Sequence, residues 1–479
     1  MSTSDFHGVA GGGSGGGAGG AAGAGRAASW SPESWRVKGR AHVFEYPDAA
    51  ALEREFAKLR SLPPLVTSWE IERLRSELVG VEAGRRLLLQ GGDCAETLDD
   101  CRSEPIAAKL KILLQMSLVL IHAGKKPVTR MGRFAGQYAK PRSSPTETRG
   151  GVTLPSYFGD LINRAEFSAA GRTPDPALLV EGYQHAGLTL NFIRALVDSG
   201  FADLHHPEYW DLSFFRHASL SAATRAEYER MVATLGDGIR FMEALGERSI
   251  QDLSSVEFFA SHEGLNLYYE SAQTRLVPRR RDYYCLTTHM PWIGERTRAL
   301  DGAHVEFFRG IRNPVGVKLG PSSTAADAVG LSEALNPGNE PGKIVFITRL
   351  GAGKVRQVLP GLLEGVRAAG RKAAWVCDPM HANGMTTATG IKTRSFDAIK
   401  SELEAAYEVH EAVGVPFGGV HFELTGEDVT ECVGGGAGVT EADLSTNYVS
   451  LCDPRLNYQQ SLEMAFLLAR KMGAGRVGN

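Results

Sequence analysis

Four side chains of the 479-residue chain set the chemical question: Cys94, His381, Glu423 and Asp453. They are a soft thiolate, an imidazole and two hard carboxylates. That mixture suits a borderline divalent ion such as Mn²⁺, Co²⁺, Fe²⁺ or Zn²⁺, and differs from an all-cysteine structural zinc site or an oxygen-only calcium or magnesium site. The four are scattered along the chain, so spacing alone leaves open the reading that each is a satisfied strand-end polar residue. A second grouping is cationic: Arg133, Lys140, Arg142, Arg296, Lys318 and Arg349. On a surface these would be solvating charges. Lys318 and Arg349, however, each directly follow a buried-type apolar run, where a charge is unfavourable unless paired. Several cations around one mouth point to phosphate or carboxylate ligands. A metal beside anion-binding groups suggests a carbonyl activated by a Lewis acid, with phosphorylated substrates.

Convergence of these residues requires a fold that gathers strand ends. Eight short apolar runs supply them, most followed by helical periodicity: 86–89, 127–131, 256–261, 283–287, 315–318, 343–348, 373–377 and 419–423. Strands alternating with helices predict an α/β chain folded as a (β/α)8 TIM barrel, whose chemistry lies at the C-terminal strand ends; an open doubly wound sheet is the alternative. The first run ends in Gln90-Gly91-Gly92-Asp93-Cys94-Ala95-Glu96, a glycine turn that holds up a thiol and two carboxylates. Helical patterns at 49–59 and 69–79 precede the first strand as an accessory layer. About 120 residues separate the second and third strands, too many for an ordinary loop, and they carry helical patterns at 188–197 and 222–245. The reading therefore divides the chain into residues 1–29, a disordered Gly/Ala/Ser-rich tail, and 30–479, one catalytic barrel domain with accessory elements at about 31–84 and 182–245.

Bulk properties exclude several classes. A net charge of −3 and a pI near 6.5 give no basic field for nucleic acid. Six cysteines without a CxxC pair favour a reducing compartment, so the expectation is a cytoplasmic protein. No apolar run is expected to approach the ~20 residues that span a bilayer, so no membrane partner is expected. Gly351-Ala352-Gly353-Lys354 is not a phosphate loop, because Thr348 stands where that motif needs its first glycine. Gly434–Gly438 lacks the strand and helix context of a nucleotide fingerprint.

The motifs themselves resemble a known family. Gly91-Gly92-Asp93-Cys94-Ala95-Glu96, Arg130-Met131-Gly132-Arg133 through Lys140-Pro141-Arg142, Ser261-His262-Glu263, Trp292-Ile293-Gly294-Glu295-Arg296, Gly316-Val317-Lys318-Leu319-Gly320-Pro321, Cys377-Asp378-Pro379-Met380-His381, His421-Phe422-Glu423 and Asp453-Pro454-Arg455-Leu456-Asn457 occur in order. Together they resemble the type II (plant-like) 3-deoxy-D-arabino-heptulosonate 7-phosphate (DAHP) synthases, over about 30–473. The resemblance implies a metal-dependent condensation of phosphoenolpyruvate with erythrose 4-phosphate, the entry step of the shikimate pathway. It implies metal ligation by Cys94, His381, Glu423 and Asp453, with Mn²⁺ as first choice and Co²⁺, Fe²⁺, Zn²⁺ or Cd²⁺ as alternatives. It implies a phosphoenolpyruvate site at Arg133, Glu295, Arg296, Lys318 and Arg349. Lys140, Arg142 and Ser143 match the segment that helps hold erythrose 4-phosphate. A homo-oligomer (dimer or tetramer) is implied, as is regulation by aromatic amino acids or a partner chorismate mutase through the accessory helices. One departure is Ala382, where the family continues Met-His-Gly-Asn.

The implied chemistry is attack of C3 of phosphoenolpyruvate on a polarised aldehyde, addition of water at C2, and expulsion of phosphate. The proton donor is not fixed by sequence; Glu295 and a metal-bound water are both candidates. Rival readings are another metal-dependent aldolase or hydrolase, and a non-enzymatic homologue acting as a scaffold. Cys452 adjoins Asp453, so Cys94 and Cys452 are expected to form a redox-sensitive pair.

Overall fold

The computed structural model describes residues 30–39, 41–42, 44–199, 222–244 and 257–474. The expected tail at 1–29 and parts of the insertion, 200–221 and 245–256, lie outside the described residues. Eight parallel strands form one sheet: β1 (Leu87–Gly92), β2 (Val128–Arg133), β3 (Phe258–Ala260), β4 (Trp292–Ile293), β5 (Val315–Leu319), β6 (Ile344–Thr348), β7 (Ala374–Cys377) and β8 (Gly419–Glu423). Their spatial order is β3-β2-β1-β8-β7-β6-β5-β4. A parallel bridge between Glu263 and Trp292 joins the two ends, and the Trp292 N–H donates to the His262 carbonyl at 3.0 Å. The sheet thus curls into the expected barrel.

Strand composition follows from burial on both faces. Every residue of Ile344-Val345-Phe346-Ile347-Thr348 and of Val315-Gly316-Val317-Lys318-Leu319 is buried, so these strands read as continuous rather than alternating apolar runs. Register places Ile347 opposite Lys318 and Gly92 opposite both Arg133 and Glu423. Gly92 is required there: its φ is +143°, and a Cβ would sit 2.8 Å from the Arg133 carbonyl oxygen.

The helices are fixed by caps and apolar stripes. α1 (Ala49–Ser61) and α2 (Ser68–Glu82) form the expected N-terminal layer, and Thr67 with Glu70 closes a capping box on α2. α3 (Ser103–Gly124) follows β1, and α4 (Ala177–Asp198) and α5 (Ala222–Ala244) belong to the insertion. α6 (Leu267–Ala272), α7 (Ala303–Phe308) and α8 (Ala325–Leu335) follow β3, β4 and β5. α9 (Val355–Ala368) buries Val355, Leu359, Leu362, Leu363 and Val366, a helical stripe. α10 (Phe396–Val413) runs from a Ser395 N-cap to Gly414 in the left-handed conformation, and α11 (Tyr458–Ala474) packs on α3.

Two expectations are corrected. The fourth barrel strand is not 283–287. Asp282–Cys285 pairs antiparallel with Thr274–Val277 in a hairpin outside the barrel, and the two-residue β4 takes its place in the sheet. A β-branched and aromatic run looks the same in either setting, whereas two residues offer no period. Helix α3 is, by length and composition, apolar enough to cross a membrane, with a mean hydropathy of 1.6 over its most apolar window. That window is 78% buried inside the protein, which gives the stripe an ordinary place between β1 and α11. The structure also adds a hairpin of Thr146–Arg149 with Val152–Pro155 on the rim.

Candidate active site

The C-terminal ends of the strands open into a cleft of about 450 Å³. Its lining includes Lys140, Arg142, Ser143, Glu295, Arg296, Lys318, Arg349, His381 and Asp453, together with Glu263 and Lys392. A second cavity of about 450 Å³ lies at the other end of the barrel, around Leu87, Tyr407, Phe417 and Met472. It is far from the strand ends that carry the chemistry, so the polar cleft is the candidate site.

On the cleft floor the ligand atoms of Cys94, Glu423 and Asp453 lie within 4.8 Å of one another. His381 Nε2 is 2.9 Å from Glu423 Oε1. The Cys94, Glu423 and Asp453 separations suit three donors around one cation at bond lengths of about 2.0–2.3 Å, with His381 beside them at Glu423 but outside that mutual distance. The donor set thus fits a divalent metal. Lys140 reaches into the same cluster: its Nζ contacts Cys94 Sγ and lies 3.1 Å from Glu423 Oε1 and 2.6 Å from Asp453 Oδ2. An ammonium among these groups shows that the pocket is built for positive charge.

Buried partners hold the donors. The His381 Nδ1–H donates to Asp378 Oδ2 at 2.7 Å, which turns Nε2 toward Glu423; Lys318 Nζ reaches the same Asp378 oxygen at 3.0 Å. Burial lowers the His381 pKa, so the imidazole is neutral and its Nε2 lone pair is available. Burial also opposes ionisation of Asp378 and Glu423, yet their cationic surroundings hold both carboxyls well below the usual range. Burial, with Cys452 and Glu423 beside it, pushes the Cys94 thiol up. The Asp453 N–H donates to Cys94 Sγ at 3.2 Å. Arg394 donates to Glu423 Oε2 at 2.7 Å and also reaches the Pro454 carbonyl.

Arg133 stands apart from the other expected anion-binding groups. It is 1% exposed, donates to Glu423 Oε1 (3.0 Å), the Asp93 carbonyl (2.9 Å) and His421 Nε2 (2.5 Å), and lies beneath the floor rather than on the cleft wall. Because a guanidinium only donates, His421 Nε2 accepts and the ring is neutral; burial, with Lys318 and Arg133 nearby, lowers its pKa accordingly. On the wall, Arg349 Nη2 donates to the His381 carbonyl at 2.8 Å, and Arg296 Nη2 donates to Ser143 Oγ at 3.2 Å. Burial lowers the Lys318 pKa against the pull of Asp378. Ala382 packs over Gly351: a Cβ placed on Gly351 would lie 3.3 Å from the Ala382 methyl.

Glu263 carries a signal that sequence reading did not use. It is buried on the cleft wall, its Oε1 has no hydrogen-bond partner, and burial raises its pKa against Lys318, Lys140 and Arg133. Gly294 makes room for it, since a Cβ there would stand 2.1 Å from that oxygen. Asp378 and Arg394 also went without roles; only Asp378, three residues before His381, carried a local signal.

A family model described as the class-II DAHP synthetase family matches residues 30–469. The chain belongs to this family. A phospho-2-dehydro-3-deoxyheptonate aldolase of Neurospora crassa is 48% identical over 459 residues, covering 92% of this chain and 94% of the relative. The enzyme of the same name from Streptomyces coelicolor is 48% identical over 436 residues, covering 91% and 96%. Phospho-2-dehydro-3-deoxyheptonate aldolase AroG of Mycolicibacterium smegmatis is 46% identical over 431 residues, covering 89% and 91%. The matched span of this DAHP synthetase family member contains every cleft residue described above.

Proposed function

We infer that the chain is a 3-deoxy-7-phosphoheptulonate synthase, a C–C bond-forming transferase that condenses phosphoenolpyruvate with erythrose 4-phosphate and water to give DAHP and phosphate, the first step of the shikimate pathway. The observation that carries this reading is the convergence, in a member of this family, of a three-donor cation pocket bordered by His381 and a cationic wall on one barrel mouth.

Cys94, His381, Glu423 and Asp453 would hold one divalent cation; the mixed donors suit a borderline ion, and the family resemblance makes Mn²⁺ the first choice. When bound, the cation supplies Lewis-acid polarisation of the aldehyde oxygen. Arg296, Lys318 and Arg349, with Glu295 beside them, receive the phosphate and carboxylate of phosphoenolpyruvate. Arg133 braces Glu423 from below and takes part in phosphoenolpyruvate binding through that contact. Lys140, Arg142 and Ser143 hold erythrose 4-phosphate in the same cleft, where Ser143 meets Arg296 and Lys140 links that substrate to the donor cluster. C3 of phosphoenolpyruvate attacks the aldehyde carbon, water adds at C2, and phosphate leaves. Glu263, with its free oxygen and raised pKa beside Lys318, accepts the proton of that water.

Phosphate release from phosphoenolpyruvate in the presence of Mn²⁺ tests the reaction. The expected result is release only when erythrose 4-phosphate is added; release without it overturns the assignment. Assembly as a dimer or tetramer, a cytoplasmic location, and control by aromatic amino acids or a chorismate mutase acting on α1, α2 and the inserted helices complete the proposal. Light scattering, and activity in the presence of Phe, Tyr, Trp or a chorismate mutase, test the assembly and the control.

A further inference from the structure

We propose that Glu402 is a positioning residue that couples metal binding to phosphoenolpyruvate binding, by holding the loops of Arg349 and His381 on one carboxylate. The inference rests on the roles proposed above for those two residues and adds a third residue that touches neither substrate nor metal. Glu402 lies on α10, 1% exposed, facing inward with Ile399 and Leu403. Its Oε1 accepts the backbone N–H groups of Leu350 (2.7 Å) and Gly351 (2.8 Å), the two residues after Arg349. Its Oε2 accepts from Asn383 Nδ2 at 2.6 Å, two residues after His381.

Asn383 completes the tie. Its Oδ1 accepts the Ala352 N–H at 3.1 Å, and its Nδ2 also donates to the Pro379 carbonyl at 2.8 Å. Above the carboxylate, Arg349 Nη2 meets the His381 carbonyl at 2.8 Å. The β6 and β7 loops are therefore joined at two levels, and a displacement of one must break bonds to the other. The groups on Glu402 are backbone and amide N–H donors, which act through direction rather than charge. Burial raises its carboxyl to about 7, with the Gly351 and Leu350 N–H groups working in the opposite direction. An anion held at that disadvantage is better suited to fixing loop geometry than to adding stability. An ion that orders the His381 loop thereby orders Arg349, and by linkage phosphoenolpyruvate must tighten the ion by the same factor.

Calorimetric titration of the full chain, without erythrose 4-phosphate, tests this. Phosphoenolpyruvate is titrated with and without Mn²⁺, and Mn²⁺ with and without phosphoenolpyruvate, for the wild type, Glu402→Ala and Glu402→Gln. The wild type is expected to show the same coupling factor, greater than one, in both directions. Glu402→Ala is expected to weaken Mn²⁺ about 10-fold and to bring the coupling factor toward one. Glu402→Gln keeps an oxygen for Leu350 and Gly351 but turns an amide N–H toward Asn383. It is expected to weaken Mn²⁺ while leaving phosphoenolpyruvate affinity in the metal-free protein within about twofold. If Glu402→Ala does not fold, as read by its thermal melt, Glu402→Gln decides alone. A wild-type factor of one, or variants that lose melting temperature but keep the wild-type factor, overturns the proposal. Arg349→Ala and His381→Ala separate the two readings. If Arg349→Ala leaves phosphoenolpyruvate affinity unchanged, or His381→Ala leaves Mn²⁺ affinity unchanged, the role assignments fail rather than the coupling.

Discussion

Asp378 illustrates how one buried carboxylate can serve two neighbours. It fixes the tautomer of His381 and pairs with Lys318; burial works against its charge, and His381, Lys318 and His421 hold the carboxyl well below the usual range. Asp378→Asn keeps the shape but removes the charge, and the new amide N–H can face either partner. We expect Mn²⁺ affinity to fall about 10- to 100-fold while the far-UV spectrum stays unchanged. Unchanged metal affinity by direct titration would refute this orienting role. Cys94 and Cys452 make a second prediction at this scale. Both are free thiols, buried together against Tyr157. Oxidising the metal-free protein is expected to link them and abolish metal binding, whereas Cys452→Ser keeps its metal site after the same treatment. Peptide mass mapping reads the result, and two free thiols in oxidised, inactive protein would end the idea. The cysteine and the carboxylates at strand ends were legible in the sequence because each followed an apolar run. Arg394 and Glu402 were not, because one sits on a short hairpin of Gly384–Thr386 with Lys392–Arg394 and the other on a helix face that reads like any amphipathic turn.

Among the elements, the helices were the most legible. Their 3.6-residue stripes and caps extend over several turns, and α1 and α5 fall where the patterns at 49–59 and 222–245 indicated. β4 was not legible, because its place is set by the gap left between β3 and β5 rather than by its own two residues. Helix α9 shows where elements draw stability. Leu359 is fully buried against the barrel, whereas Arg356 pairs with Glu408 in the open. Leu359→Ala is expected to destabilise by about 2–5 kcal/mol and Arg356→Ala by less than ~1 kcal/mol in urea unfolding. Equal losses would mean that the outer helices are held by surface charge after all.

For the whole molecule, acid stability is a balance between buried groups of opposite sense. Burial lowers His304 and His410 to about 4. Their unfolded forms take up protons near pH 6.5, so this contribution is intact above pH 6.5 and is lost as pH falls toward 4. Burial raises Glu96 and Glu402 to about 7. Their contribution is fully present below the unfolded carboxyl value and is lost as pH rises through 7. Each shift corresponds to roughly 3 kcal/mol at its limit, so the two pairs largely offset one another in mildly acid solution. Single variants should expose the balance. His410→Gln can still donate to the Val415 carbonyl, and its stability relative to the wild type should rise by up to roughly 3 kcal/mol between pH 7.5 and 4.5. Urea unfolding at the two pH values checks it, and a constant difference would refute it. None of this balance was visible in the sequence, where His410 is one more member of a helical stripe and Glu96 one carboxylate after a glycine turn.

The ammonium of Lys140 on the cleft floor bears on how such an enzyme acquires its metal. Burial works against its charge, but Asp453, Cys94 and Glu423 hold its pKa well above the ordinary lysine value. The carboxylates that would otherwise repel one another therefore have a covalently attached counter-ion from the moment the barrel closes. The fold is therefore expected to form without metal, unlike that of a zinc finger, whose chain has no fold without its ion, and refolding in a chelator checks it. The choice among divalent ions falls to the finished protein.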